Sequence, residues 1–349
     1  MRLEPRTDAT LATTLAYPAA AFVLTLLVAA FLALIAGANP FAVLFQVLKG
    51  AAGSQFALLE TLTRATPLIF TGLSIAVAFR AKLWNIGAEA QLYAGAVATV
   101  LLGTGLLPLP APLLIPLLML AAVLGGALLL LGPAALKIRL GVDEVVTTLL
   151  LNFVILLVVS YLLEGPLKDP MGMGWPQSKR VIADAQLPRL IQGKRLHFGF
   201  VLALASAVAV WLIMTRTTLG YAMRAVGANP QAARFSGIPV NRVLVWTALL
   251  AGGLAGLAGF SEVAGLKGNL TLDLSSNYGM SGIVVAMLAM LHPLGVVVSA
   301  VFVAGVFVGA DAMSRAAGVP SYIADVMVAT ALLTMVTAIM LSRHRVRWR

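Results

Sequence analysis

The sequence predicts an all-α polytopic membrane protein with about ten transmembrane helices. Hydrophobic residues make up 60% of the 349 residues and charged residues only 11%, a composition far from that of a soluble domain. Apolar runs close to the length of about 20 residues that a helix needs to cross a bilayer recur from Ala19 to Leu341. The chain is therefore expected to lie mostly within a membrane.

The individual spans follow from the apolar runs and from the charges and turn residues that separate them. The first run follows Arg2 and Arg6 and is too long for a signal-peptide core, so we interpret it as an uncleaved helix. In the eighth span, Gly279 and Gly282 interrupt the apolar run. We place the spans at residues 18–36, 61–79, 85–103, 112–132, 144–163, 197–215, 243–261, 276–291, 294–311 and 322–341.

The distribution of charge predicts the orientation of these spans. Basic residues cluster at alternate ends of the apolar runs, which favours a cytoplasmic location for both termini. The long outer loop, 164–196, separates five spans from five, so two equivalent halves would have inverted orientations; this possibility rests on counting alone. We treat 1–349 as a single transmembrane domain.

The same composition excludes several classes of function. The net charge of +11 is spread over the ends of apolar segments, which is typical of membrane orientation and not of nucleic-acid binding. The absence of cysteine excludes disulfides and thiolate metal sites, and the three histidines are not spaced for a metal site or a catalytic triad. An intramembrane enzyme is therefore disfavoured.

The long loop at residues 216–242 contains the signals of a short amphipathic helix. Asn229 is suited to an N-cap, Pro230 to the first helical position, and Gly237 to the turn after a helix over 231–236. Such a helix could dock into a groove of a partner protein or lie on anionic lipid as an interfacial connector. The residues alone leave both interpretations open.

The run from Asn85 to Gln91 places costly polar side chains at the start of the third span. Glu89 could accept hydrogen bonds from a substrate in a transport path, or it could be a structural carboxylate bonded to backbone N–H groups at a helix start. We favour the structural interpretation. Asn85 and Gln91 are six residues apart, so we expect them on different helix faces with at most one facing a path.

Three further residues are candidates for a substrate path. Asn152 and Phe153 lie in the middle of the fifth span, where a carboxamide beside an aromatic ring suits a purine, although Asn also links membrane helices. Phe260, at the outer end of the seventh span, could meet an incoming substrate or serve as an interfacial anchor. Small residues in that span predict close helix packing. These are Gly252, Gly256 and Gly259.

The polar run resembles the signature of ABC-transporter permeases of the branched-chain amino acid and simple-sugar superfamily. The chain is most similar to the purine-nucleoside branch, whose binding proteins are lipoproteins of the basic-membrane-protein type. Ala90 stands where the family motif usually has glycine. The resemblance extends through residues 141–152, 164–170, 220–237, 278–286 and 292–295.

The resemblance implies an importer of the bacterial inner membrane that contains two permeases, two ATPase subunits and an extracytoplasmic binding lipoprotein. The second permease would be a different chain or another copy of this one. No phosphate-binding Gly-x-x-x-x-Gly-Lys-Ser/Thr motif is present, so ATP would be used by the partner and no cofactor by this chain. The loop 216–242 would couple to the ATPase. Its implied coupling residues are Tyr221, Arg224, Gly227, Asn229, Pro230, Ala233 and Gly237.

The expected function is therefore a gated permease subunit for purine nucleosides or related nucleobases. A simple-sugar importer of the same superfamily is the alternative, because it shares this architecture. An ion-coupled carrier is a further alternative, but the long coupling-type loop argues against it.

Overall fold

The computed structural model describes residues 39–317 apart from Pro108, together with short stretches nearer the two termini. The predicted spans 18–36 and 322–341 lie largely outside the described residues. The chain divides into two compact units, one formed by Met1–Arg64 with Val301–Arg349 and the other by Ala65–Ala300. The single-domain organisation stays a prediction.

Helices account for most of the described chain. Two four-residue strands, β1 (Arg2–Pro5) and β2 (His344–Arg347), pair antiparallel, which the all-α prediction did not include. A 3-10 turn forms at Ala183–Ala185 and a π-helical turn at Val263–Lys267. The α-helices are α1 (Pro40–Ala52), α2 (Gln55–Arg80), α3 (Ala88–Gly103), α4 (Ala111–Leu140), α5 (Glu144–Glu164), α6 (Gly199–Arg216), α7 (Thr218–Ala228), α8 (Pro230–Phe235), α9 (Val240–Glu262), α10 (Tyr278–Leu288) and α11 (Pro293–Ala317).

Six helical segments in the described residues are long and apolar enough to cross a membrane. They correspond to the second, fourth, fifth, sixth, seventh and ninth predicted spans, which supports a multi-pass membrane protein. The predicted total of ten and the inverted halves are not confirmed. The six segments are Gln55–Arg80, Ala111–Leu140, Glu144–Glu164, Gly199–Arg216, Val240–Lys267 and Pro293–Ala316.

The eighth predicted span is shorter in the structure than the sequence suggested. Its helix, α10, has 11 residues, and at 1.5 Å per residue it extends about 16 Å, roughly half of a hydrocarbon core of about 30 Å. Asn277 adopts a left-handed conformation before α10, and Met290 and Leu291 do so after it, so the backbone turns at both ends. The structure therefore does not confirm a full helical crossing over 276–291.

Helices α3, α4 and α9 pack closely through small residues, as the sequence predicted. A Cβ atom added at Gly256 would lie 2.0 Å from the carbonyl oxygen of Ala122 in α4, and one added at Gly259 would lie 2.0 Å from that of Leu92 in α3. A Cβ atom at Gly252 would lie 2.4 Å from the carbonyl oxygen of Gly126. This packing fixes α3 as a buried helix.

The smaller unit contains a charged pair that the sequence analysis did not identify. Arg64 of α2 forms an ion pair with Asp311 of α11, and its guanidinium lies 5.3 Å from the centre of the Phe307 ring. The Thr61 hydroxyl donates to the carbonyl oxygen of Ala51 at 2.8 Å, which joins α2 to α1. Pairing allows an arginine to occupy an otherwise apolar helix.

Candidate functional site

The chain between α2 and α3 is not helical, and side chains from α5 bond to its backbone. The Glu144 carboxylate accepts a hydrogen bond from the Trp84 N–H and the Thr148 hydroxyl accepts one from the Ile86 N–H, both at 3.1 Å. Glu144 and Thr148 are four residues apart, which places them on one helix face. This face of α5 satisfies amide groups that would otherwise be costly to bury in a membrane.

Asn152 extends the same face by one further turn. Its carbonyl oxygen accepts a hydrogen bond from the Ala90 N–H at 2.9 Å, and its amide donates to the carbonyl oxygen of Ile86 at 2.9 Å. Both side-chain ends are therefore bonded to backbone on either side of the start of α3. This geometry is that of a structural clamp that joins α5 to the polar segment.

Asn85 and Gln91 form a reciprocal pair of hydrogen bonds. The Asn85 amide donates to the Gln91 carbonyl oxygen at 2.9 Å, and the Gln91 amide donates to the Asn85 carbonyl oxygen at 2.8 Å. The Asn85 oxygen also accepts from the Gly87 N–H at 3.0 Å, and both side chains are fully buried. The expectation that they lie on different helix faces was wrong, because α3 begins only at Ala88 and Asn85 precedes it.

Glu89 lies where the N-termini of two helices meet. It is in the first turn of α3, and its carboxylate accepts a hydrogen bond from the N–H of Gly279, in the first turn of α10, at 2.7 Å. Ser275 is a second hydrogen-bond partner of this carboxylate, and Glu89 is 6% exposed. Helix N-termini carry partial positive charge, so the carboxylate is placed where both helices stabilise it.

The segment before α10 is attached to α3 one helical turn farther along. The Tyr93 hydroxyl donates to the carbonyl oxygen of Leu272 at 2.5 Å and accepts from the Ser275 N–H at 3.4 Å. The Ser275 hydroxyl in turn accepts from the Tyr278 N–H at 3.0 Å. Sequence reasoning missed Tyr93 and Ser275, since their roles depend on contacts between residues about 180 positions apart.

The two aromatic candidates lie apart from this cluster. Phe153 is 62% exposed, while its neighbour Asn152 is buried against α3. Phe260 is 1% exposed and belongs to the packed interior. The structure therefore brings together Asn85, Glu89, Gln91 and Asn152, with Glu144 and Thr148 added; we call these six residues the polar cluster. Phe153 and Phe260 are not part of it.

The predicted short helix in the loop 216–242 is present as α8. The Asn229 side chain accepts hydrogen bonds from the N–H groups of Gln231 and Ala232 at 2.9 and 3.1 Å. Pro230 occupies the first turn, and Gly237 has a φ of 81° just after the helix. The local sequence signals for this helix are confirmed.

Helices α7 and α8 present one surface inward and another outward. Gly227 of α7 lies so close to α2 that an added Cβ atom would be 1.9 Å from the carbonyl oxygen of Arg80, and Ala233 of α8 is buried. Tyr221 and Arg224 are exposed. Phe235, which sequence reasoning missed, is 97% exposed at the end of α8.

Comparison with known proteins gives a family match and several relatives. The family model described as "Branched-chain amino acid transport system / permease component" matches residues 57–341. The glucose ABC transporter permease protein TsgB13 of Haloferax volcanii is 37% identical, covering 84% of this chain and 79% of the relative. No solved structure shows a significant match.

Two further relatives have names that refer to nucleosides. The guanosine ABC transporter permease protein NupP of Bacillus subtilis is 33% identical, covering 90% of this chain and 91% of the relative. The nucleoside ABC transporter permease protein NupB of Lactococcus lactis is 32% identical, with coverage of 89% and 88%. The matches therefore extend over nearly the full length of both relatives.

Proposed function

We propose that this chain, which belongs to the permease family of branched-chain amino acid transport systems, forms the gated path of an importer. The proposed substrates are purine nucleosides or related nucleobases. The chain is a transmembrane permease subunit of an ABC transporter and is not itself an enzyme. The observation that carries the choice of substrate is the near full-length similarity to the guanosine permease.

A simple-sugar importer is the second candidate. The glucose permease relative has the higher identity, although its match covers a smaller share of both chains than that of the guanosine permease. A nucleoside contains a pentose, so a path that admits ribose hydroxyls suits both classes. An ion-coupled carrier has less support, because the family and the relatives are permeases of ATP-driven systems.

The partners follow from this function. We propose that an ABC ATPase binds the surface of α7 and α8, with Tyr221 and Phe235 as its exposed aromatic contacts. A second permease, different from this chain or a copy of it, and an extracytoplasmic binding lipoprotein would complete the importer. ATP would be used only in the partner subunit. The bacterial inner membrane with both termini cytoplasmic is the location that agrees with this assembly.

A contiguous set of contacts links α8 to the polar cluster. Helix α8 follows α7, and Gly227 of α7 rests on the carbonyl oxygen of Arg80, the last residue of α2. The chain then runs directly from Arg80 into residues 83–87 and on to Glu89, which bonds to α10. We propose that ATPase closure shifts α7 and thereby moves the start of α3 against α10.

In this mechanism Glu89 is a positioning residue for α10 and does not contact the substrate. Its carboxylate is occupied by Gly279 and Ser275, which supports the structural interpretation over the path interpretation. Asn85, Gln91 and Asn152 would likewise fix the unwound segment. The short helix α10 and the segment before it would then be the parts that move and line the path, as discontinuous helices do in other transporters.

The cognate binding lipoprotein offers the simplest test of the substrate. Its unfolding temperature would be measured with guanosine, adenosine, free purine bases, ribose and glucose. Stabilisation by nucleosides or by free purine bases is expected from this proposal, because a ligand that binds only the folded protein raises its stability. Stabilisation by sugars alone would overturn the nucleoside assignment and favour the second candidate.

A further inference from the structure

A cleft separate from the polar cluster lies where α2, α6, α7 and the turn between α10 and α11 meet. Its volume is about 280 Å³. The polar side chains that line it are Arg80, Thr215, Arg224 and His292, and its apolar side includes Trp211 and Pro293. We call it the arginine cleft. All of its lining residues belong to the larger unit.

The charge of the arginine cleft favours an anion. Arg80 and Arg224 both line it, and no carboxylate is among its lining residues in the described part of the chain. Arg80 donates its Nε–H to the carbonyl oxygen of Leu291 at 3.3 Å, which leaves the other N–H groups of its guanidinium for a ligand. Two arginine side chains that line the same cleft repel each other, and a shared anion offsets that repulsion.

The backbone turn at the edge of the cleft has an unusual conformation. Met290 and Leu291 are consecutive non-glycine residues with φ values of 52° and 59°. The left-handed conformation is unfavourable for residues that carry a Cβ atom. The strained turn directs the carbonyl oxygen of Leu291 at Arg80, and it thereby fixes the position of one of the two guanidinium groups.

The surroundings of the cleft indicate which kind of anion it would take. Arginine recognises phosphate through paired N–H donors, so a phosphate group matches the polar side. Trp211 lies on α6, about one turn before the helix end at Arg216, and an indole near the end of an apolar helix is typical of the membrane–water boundary. A ligand with a phosphate and an adjoining apolar part fits both sides of the cleft.

We propose that the arginine cleft binds the phosphate of an anionic phospholipid from the adjacent leaflet. The lipid headgroup bridges α7, through Arg224, to Arg80 and the turn between α10 and α11. Because α7 precedes the exposed helix α8, a bound lipid stiffens the same contact region that carries Gly227. This inference does not depend on the substrate that the transporter carries.

The test uses the purified full-length transporter and native mass spectrometry during a titration with phosphatidylglycerol, with phosphatidylcholine as the neutral lipid. Arg224→Gln removes one of the two charges, and Arg234→Gln in α8 removes an equal charge that does not line the cleft. We expect Arg224→Gln to weaken phosphatidylglycerol binding by about fivefold, the contribution typical of one arginine at an anionic surface. Arg234→Gln should leave it within about twofold of the unaltered chain.

Three further measurements identify the source of the phosphate, separate a specific effect from a general effect of charge, and replace Arg224→Gln if that variant does not fold. Inorganic phosphate at millimolar concentration should not compete with the lipid, and full competition would overturn the assignment to a lipid. Equal weakening by Arg224→Gln and Arg234→Gln would show only a general effect of charge and would also overturn it. If Arg224→Gln does not fold, Arg224→Lys replaces it, because Lys keeps the charge but lacks the paired donors. Arg224→Lys should bind phosphatidylglycerol more weakly than the unaltered chain does, and unchanged binding would overturn the proposal.

Discussion

The carboxylate of Glu89 accepts the N–H of Gly279 at 2.7 Å, and the two backbones are in direct contact at that point. A Cβ atom added at Gly279 would lie 2.2 Å from the backbone nitrogen of Glu89. One residue in the first turn of α3 therefore fixes the first turn of α10, although the two are 190 positions apart in the chain.

Gly279→Ala tests the close approach of these two helices. The added methyl group must push α10 away from α3, so we expect a loss of about 1–3 kcal/mol of stability and a strong loss of uptake. Gly132→Ala in α4 is the matched control, because a Cβ atom there has no neighbour within 4 Å. The control should keep full stability in a thermal unfolding assay. Equal stability of the two variants would contradict the contact.

Glu89→Gln and Glu89→Ala separate positioning from substrate contact. Gln keeps an oxygen that accepts the Gly279 N–H but loses the charge at the helix start, so we expect a loss of about 1 kcal/mol with assembly retained. Ala loses both the accepting oxygen and the charge, so Glu89→Ala should give little assembled complex. If Glu89→Gln assembles with unchanged stability yet abolishes uptake, the carboxylate acts in the path and the positioning role is wrong.

Asn152→Asp tests the clamp on the polar segment. Asp keeps the acceptor for the Ala90 N–H but cannot donate to the carbonyl oxygen of Ile86 when ionised, so we expect a loss of about 1–3 kcal/mol. Phe153→Leu, at the next position and largely exposed, should cost little. Unfolding temperatures measured in detergent would compare the two. A larger loss for Phe153→Leu would show that α5 is oriented differently.

Gly227→Ala tests the contact between α7 and the end of α2. The new methyl group would lie 1.9 Å from the carbonyl oxygen of Arg80, so α7 must move outward. We expect ATP hydrolysis to continue while uptake falls by at least about tenfold, the scale of an ordinary coupling free energy. Gly132→Ala in α4 is the control and should keep normal uptake, because an added Cβ atom there has no neighbour within 4 Å. Parallel loss of hydrolysis and uptake in Gly227→Ala would argue against this path.

Because His197 is buried, we expect the stability of the folded chain to depend on pH. It precedes α6 outside the membrane-spanning helix, it is fully buried, and its Nδ1 accepts the Gly199 N–H at 3.2 Å. Burial lowers the pKa of His197 to about 4 from the ordinary value of 6.5. Between pH 4 and pH 6.5 the His197 imidazole binds a proton in the unfolded chain but not in the folded chain. The contribution of His197 to the free energy of unfolding is therefore fully present above pH 6.5 and is lost as the pH falls through this range.

The expected slope from this histidine is on the order of 1 kcal/mol per pH unit within that window. His197→Asn provides an oxygen for the Gly199 N–H but does not titrate. Its unfolding temperature should therefore change less between pH 7 and pH 5 than that of the unaltered chain. An identical change in both chains would assign the pH dependence to other groups.

How far the sequence predicts this structure depends on whether the determining contacts are local. The N-cap at Asn229 and the helix end before Gly237 were predictable, because each signal lies within a few residues of the helix end that it determines. The close packing at Gly252 and Gly256 was also predictable from small residues at helical spacing. In each case the sequence signal lies within one segment of the chain, although the partners of Gly252 and Gly256 lie in α4.

The polar cluster was only partly predictable for the opposite reason. The Asn85 side chain pairs with Gln91 because α3 begins at Ala88, and that start is fixed by α5 side chains about 60 positions later. The partner of Glu89 is farther still along the chain. The prediction from residue spacing took residues 85–91 as one continuous helix. It could not show that the chain before α3 is non-helical and is bonded by side chains of α5.

The most direct test of the nucleoside-importer proposal is uptake by proteoliposomes that contain this chain with the proposed second permease, ATPase and binding lipoprotein. We predict accumulation of labelled guanosine that requires ATP and the ATPase subunit and that excess glucose does not inhibit. ATP-dependent accumulation of glucose without guanosine, or guanosine uptake that persists when the ATPase is omitted, would contradict the account.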